Sequence, residues 1–224
     1  SDAERIGARR IEVIPYGLDM PSRTLPRDSS SDPVILFAGL HGEGKGLFDL
    51  LDTARLLRDR GCSFRIRTAG EWESEAVRER FEARRAEIDL ADCVETLGRL
   101  PREKLWDAYA GADIFFFPTK FAHETFGVVL IEAMAFGLPV VSSRWPGPID
   151  VVRDGVTGIL CEAGHIDEYA DALQALLDNP DRRAAMGADG KMLYKQQYSG
   201  FQYQRRMKQF FTEACDWPDA RLHG

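Results

Sequence analysis

The chain has 224 residues, 44% of them hydrophobic, and a formal charge of −7. That length suits one large or two small domains, and a domain of this size buries roughly 70% of its unfolded surface. The acidic balance argues against nucleic-acid binding, and no run approaches the ~20 apolar residues of a membrane span, so membrane association is not indicated.

Cys62, Cys93, Cys161 and Cys215 are scattered, with no CxxC pair and no histidine at ligand spacing. The expectation is a reducing, cytoplasmic setting without disulfides or structural zinc. The first residue is Ser and no signal-peptide pattern follows, as in a processed chain or a fragment. Arginines between positions 78 and 85 are interleaved with Glu79 and Glu82, which fits a solvated helix face better than a phosphate tract.

In chain order, residues 1–33 read as a leading strand and interdomain linker. Positions 10–15 form a short edge strand and 16–19 a turn, after which Pro21, Pro26, Ser29 to Ser31 and Pro33 keep the chain irregular. Then strict alternation begins. The apolar run 34–38 ending at Gly39 predicts a strand buried on both faces. Positions 46–61 carry Leu47, Leu50, Leu51, Ala54 and Leu57 at helical spacing. A strand at 63–69 and a charged amphipathic helix at 73–88 follow. Next come a strand at 93–97 and a helix at 101–110 with Pro at its first position. The run 112–117 is a fourth strand, 125–136 an apolar helix stopped by Gly137 and Pro139, and 140–142 a fifth strand. One helical turn at 148–152 and a short strand at 157–161 complete the sheet. Helices at 166–177, 180–198 and 201–215 close the chain.

Strands alternating with helices of this length predict an α/β fold: a Rossmann-like parallel sheet of about six strands with helices on both faces, spanning residues 34–200. Such sheets bind ligands at the carboxyl ends of their strands, where Gly39, Gly70, Gly98, Pro118 and Ser142 fall.

Two motifs lie at those ends. The stretch 39–46 matches G-x-x-x-x-G-K, the ATP-binding P-loop, but Gly46 stands where Ser or Thr would hold magnesium. Three readings remain: a P-loop nucleotide hydrolase, a flexible turn, or a phosphate-facing loop in which Lys45 supplies charge without metal. The second motif is Glu124 and Glu132, flanking the start of the apolar helix with Gly127 between them. A helix start offers unpaired amides and the positive end of the dipole to an anion. The carboxylates cannot bind that anion and suit sugar hydroxyls beside it. The bland alternative is that Glu124 complements the dipole and Glu132 is an exposed helix residue. Arg99, after Gly98, is equally explained by an ion pair with Glu103. The histidines form no metal or triad pattern.

These residues carry a resemblance. From about Ile11 to Gly164 the chain resembles, collinearly, the C-terminal donor-binding domain of the retaining GT-B glycosyltransferases of group 1. Its residues are Val13 to Asp19, with Tyr16 where Asn is usual, and Phe37-Ala38-Gly39 to Lys45-Gly46. Leu97-Gly98, Leu105, Tyr109, Ala112-Asp113 and Phe117-Pro118 follow, then the E-x7-E motif from Glu124 to Glu132 and Asp154 to Gly158. The resemblance implies half of a GT-B fold that binds a nucleotide-diphosphate sugar and transfers the sugar without metal or cofactor. Glu124 would be the catalytic residue at the sugar. Gly39 and Lys45 would meet the diphosphate, and the amides of Phe126, Gly127, Val128 and Val129 the sugar and phosphate. Glu132 would take the ribose diol, and Arg99 and Leu100 the base. Leu40 departs from the family, which usually has Arg there; His41 or Arg99 is the expected replacement. Asp150, where Glu is commoner, is a minor change. The family's first domain has no counterpart in this sequence. The isolated chain is thus expected to bind donor weakly and turn over little, with residues 201–224 packing back toward the missing N-terminal domain. A binding module without transfer activity is the alternative.

Overall fold

The computed structural model describes residues 12–23, 25 and 32–215. Six strands, β1 (Val34–Ala38), β2 (Arg65–Ala69), β3 (Val94–Gly98), β4 (Ile114–Phe117), β5 (Val140–Ser143) and β6 (Gly158–Cys161), form one sheet in the order β3-β2-β1-β4-β5-β6. Every adjacent pair is parallel. Parallel neighbours require crossovers, and these carry α1 (Leu47–Asp59), α2 (Glu75–Glu87), α3 (Arg102–Ala110), α4 (Val128–Phe136) and α5 (Pro148–Val151). After β6 come α6 (Ile166–Leu177), α7 (Pro180–Leu193) and α8 (Gly200–Cys215).

The sheet is buried because its two central strands, β1 and β4, are apolar throughout. All four residues of β4 and of β5 are buried, as are four of the five in β1. One group of helices, α1 with α2 and α6, packs together; α4 packs against α3 and α7. Strand order reverses between β1 and β4, which leaves a crevice beyond their carboxyl ends. Among the described residues, no helix is long and apolar enough to cross a membrane.

Several boundaries differ from expectation for local reasons. The apolar helix begins at Val128, three residues later than expected, because Gly127 enters it in the left-handed region. Pro101 is the residue before α3 rather than its first member. The helix expected over 180–198 stops at Leu193 and widens into a π turn over Tyr194–Tyr198. That turn receives the leading segment. Leu18 N–H donates to the Tyr198 carbonyl (2.8 Å), Tyr194 Oη donates to the Leu18 carbonyl (2.8 Å), and Met20 N–H donates to Tyr194 Oη (3.2 Å). Positions 12–15 are therefore irregular, not strand; positions 10 and 11 of the expected edge strand lie outside the described residues.

His41 is part of this core. It is fully buried, 5.8 Å from the Phe37 ring and 4.7 Å edge-on to Trp72, which in turn stacks toward Phe81. Its backbone bridges to Glu71 and Glu73, extending the β1–β2 register. Neither ring nitrogen has a hydrogen-bonding partner among the described residues. Burial pushes its pKa down to about 4, so the ring is neutral and supplies no charge. The expectation that His41 replaces the arginine missing at Leu40 is thereby overturned.

Because the folded pKa lies below the unfolded one, His41's contribution is complete above about pH 6.5 and lost as pH falls toward 4. Urea unfolding should show the wild type losing about 2–3 kcal/mol relative to His41→Phe between pH 7 and pH 4. Parallel stability curves for the two proteins would contradict this assignment.

Candidate functional site

Three loops meet at the crevice: 39–46 after β1, 118–127 after β4, and 144–147 after β5. The first two are stitched directly. Lys120 N–H donates to the Gly44 carbonyl at 2.8 Å, and Thr119 Oγ1 reaches the same carbonyl at 3.5 Å. The closest approach is at Gly46, which has φ of 78°; a Cβ there would lie 1.9 Å from the Pro118 carbonyl oxygen. No serine or threonine fits at position 46 without moving the β4 loop. The hydroxyl that a P-loop needs for magnesium is therefore excluded by packing as well as by sequence.

This approach brings Lys45 to Glu124. Lys45 Nζ lies 2.6 Å from Glu124 Oε2, with the two side chains 18% and 12% exposed. The ammonium also sits 4.4 Å from the centre of the Phe121 ring and 5.8 Å from that of Phe117. Partial burial strengthens the attraction, and the aromatic faces add to it. The other carboxylate oxygen, Glu124 Oε1, accepts the Gly127 N–H at 3.2 Å. Gly127 has φ of 72° and ψ of 55°, and Leu130 N–H closes a tight first turn onto its carbonyl at 2.9 Å. The amides of Val128 and Val129 open α4 and, as in any first turn, have no carbonyl four residues back within the helix.

Gly39, Lys45, Glu124 and the run from Phe126 to Val129 line one cleft of about 350 Å³. Seven of the expected site residues are thus together, and Leu40 joins them, 40% exposed at the cleft's edge and uncharged. Of the four amides expected to face a ligand, that of Gly127 is already engaged by Glu124. The Phe126 side chain does not face ligand space alone; its ring meets Tyr198 edge-on at 6.2 Å.

The remaining expected residues stand elsewhere. Arg99, 78% exposed, follows β3, two strands from β1, and pairs with Glu71 at 2.5 Å. Its expected partner, Glu103, instead pairs with Arg23 at 3.1 Å. Leu100 is half-buried against the core. Arg99 therefore does not join Lys45 in the cleft, where Lys45 is the cation among the described lining residues. Glu132 lies in the second turn of α4, where Tyr109 Oη donates to its Oε2 at 2.8 Å. Burial raises the Glu132 pKa, opposed by that hydrogen bond and by the charge of Arg102. It is not an exposed helix residue; it is half-buried and tied to α3.

Sequence reasoning missed the supports of the site. Phe121 faces the Lys45 ammonium, and its carbonyl accepts the Trp145 indole N–H at 2.9 Å. Lys120 pairs with Asp49 in the first turn of α1 at 2.8 Å and 3.0 Å. The signal was a Lys-Phe pair just beyond a strand-ending Pro118, which carries no spacing rule of its own.

The chain matches the family model of glycosyl transferases group 1 over residues 25–192. It is 33% identical to a D-inositol 3-phosphate glycosyltransferase from Pseudarthrobacter chlorophenolicus, over 80% of this chain and 44% of that protein. It is 35% identical to a GDP-mannose-dependent monoacylated alpha-(1-6)-phosphatidylinositol monomannoside mannosyltransferase from Corynebacterium glutamicum, over 54% of this chain and 33% of that one. Among solved structures, it is similar to HepE of Anabaena in complex with UDP and glucose, with a TM-score of 0.74 and 19% identity over 82% of this chain and 49% of that one. The chain spans less than half the length of each of these relatives. By its sequence, the chain belongs to the group 1 glycosyltransferases.

Proposed function

We propose that this chain is the donor-binding half of a retaining glycosyltransferase that uses a nucleotide-diphosphate sugar and no metal. The observation that carries the reading is the Lys45–Glu124 pair at the mouth of α4, beside the amides of Val128 and Val129. A diphosphate arriving there offers Lys45 a stronger partner than one carboxylate, and the helix start adds its dipole. Lys45 then stabilises the departing diphosphate, and Glu124, released from it, accepts from sugar hydroxyls. Glu132 accepts from the ribose diol, and the Arg99–Leu100 segment receives the base. In a retaining reaction the acceptor oxygen enters on the face of the leaving phosphate, whose oxygen takes the proton. The base and sugar stay open, since relatives named for GDP-mannose and complexes with UDP both occur.

The acceptor side belongs to a second domain, N-terminal to this one in the whole protein. The domain limits we propose are a linker over 1–33, the nucleotide-sugar domain over 34–200, and a C-terminal helix that returns to the partner domain. α8 carries exposed Phe201 and Phe211, apolar surface suited to that contact. The isolated chain then binds donor and transfers little, in a cytoplasmic setting. A second reading, a sugar-nucleotide-binding module without transfer, is favoured by Leu40, which brings no charge to the cleft.

In a thermal-shift panel with EDTA, one of UDP, GDP or ADP should stabilise the chain, by about 2.7 kcal/mol at 100 times its dissociation constant. Binding only with magnesium and ATP would instead support a P-loop hydrolase. Lys45→Ala should weaken that diphosphate about 10- to 100-fold, one charge-assisted hydrogen bond, whereas Glu124→Gln leaves its affinity undiminished. In the two-domain protein, Glu124→Gln should abolish transfer; transfer at the wild-type rate would remove Glu124 from the reaction, and no transfer by the wild type itself would establish the binding module. Gly46→Ser, which completes the P-loop consensus, should lower stability by about 1–3 kcal/mol and create no magnesium dependence, because its side chain meets the Pro118 carbonyl.

A further inference from the structure

Glu132 is an acid on the second turn of a helix whose other residues are nearly all apolar, and among the described residues it has a single hydrogen-bonding partner. That partner, Tyr109, is fully buried on α3. Its ring stacks on Phe136 with centroids 5.5 Å apart and planes 6° off parallel, and lies 5.6 Å from Phe115. The ring has no room to swing. Its hydroxyl is therefore fixed in space and donates to Glu132 Oε2 at 2.8 Å. Burial and the neighbouring carboxylate hold the phenol pKa well above its ordinary value, so the group is a permanent donor. Among the described residues nothing donates to Oε1.

We infer that Tyr109 is a positioning residue: by occupying one oxygen of Glu132 it aims the other at a vicinal diol. The inference rests on the reading of Glu132 as the ribose ligand. Among the described residues, the groups that act on the Glu132 charge are Tyr109 and Arg102, both from α3. A half-buried carboxylate on its own tends to protonate or rotate; a fixed donor opposes both, because it stabilises the charged form in one orientation. Tyr109 touches no ligand itself. Its stacking on Phe136 would serve packing equally well, so the hydroxyl and the ring must be separated by experiment.

Tyr109→Phe keeps the ring and deletes the hydroxyl. The probe is whichever of UDP, GDP or ADP stabilises the chain most, measured by calorimetry against its 2′-deoxy and 3′-deoxy forms, with circular dichroism confirming the fold. Tyr109→Phe should weaken the ribose form about 5- to 10-fold, on the scale of one ordinary net hydrogen bond, and leave the deoxy forms nearly unchanged. Its affinity should also fade at a higher pH than the wild type's as the solution is acidified, since Glu132 without its donor protonates more readily. In a Glu132→Gln background, Tyr109→Phe should cost nothing further. Equal losses for ribose and deoxy forms, or an unshifted pH profile, would overturn the inference and leave Tyr109 a packing residue. If Glu132→Gln itself binds ribose and deoxy forms as the wild type does, the ribose assignment fails and the inference falls with it.

Discussion

The close approach of Gly46 to Pro118 is the constraint on which the site depends. β1 and β4 are neighbours in the sheet but distant in sequence, and their loops leave the sheet where the strand order reverses. Only a residue without Cβ, in the left-handed region, lets these loops touch. The contact places Lys45 over Phe121 and against Glu124, and hence beside the first turn of α4. A side chain at position 46 would part the loops and separate the cation from the helix start. The same glycine that excludes a magnesium-binding hydroxyl thus brings the Lys45 ammonium to the start of α4.

The resting pair has a further consequence. Lys45 and Glu124 are mostly shielded from water, so neither is cheaply left alone. On the proposed reading, an incoming anion would replace Glu124 as the partner of Lys45, and the released carboxylate would need hydrogen-bond donors. A sugar attached to that anion supplies them. One ligand carrying phosphate and hydroxyls satisfies both groups, whereas phosphate alone satisfies one. On the proposed reading, the pair would favour a whole sugar nucleotide over an inorganic anion.

The architecture was legible because short β-prone runs, two of them wholly apolar, alternate with helix-length segments and admit few arrangements other than a parallel sheet. All six strands and the helices between them stand where periodicity placed them, within a few residues. The motif residues on the β1 and β4 loops were legible for a related reason: glycines and charges cluster where strands end. What pattern reading could not supply was tertiary. Nothing in the sequence says that the π turn at Tyr194–Tyr198 exists to receive Leu18 and Met20, or that α4 starts late because Glu124 captures the Gly127 amide. His41 looked available beside Leu40, yet its burial between Phe37 and Trp72 depends on β2's loop, thirty residues on. Arg99 looked as if it would serve the cleft or pair with Glu103; its partner is Glu71.

The central claim is that a nucleoside diphosphate binds at the start of α4, held by Lys45 and helix amides without metal. Amide chemical shifts of the ¹⁵N-labelled chain, titrated with the diphosphate in EDTA, test it most directly. The account predicts that the largest shifts fall on Gly39, Lys45, Gly46 and the run from Phe126 to Val129, with the Gly127 amide moving as Glu124 is released. Shifts that appear only with magnesium, or that centre away from α4, would contradict it.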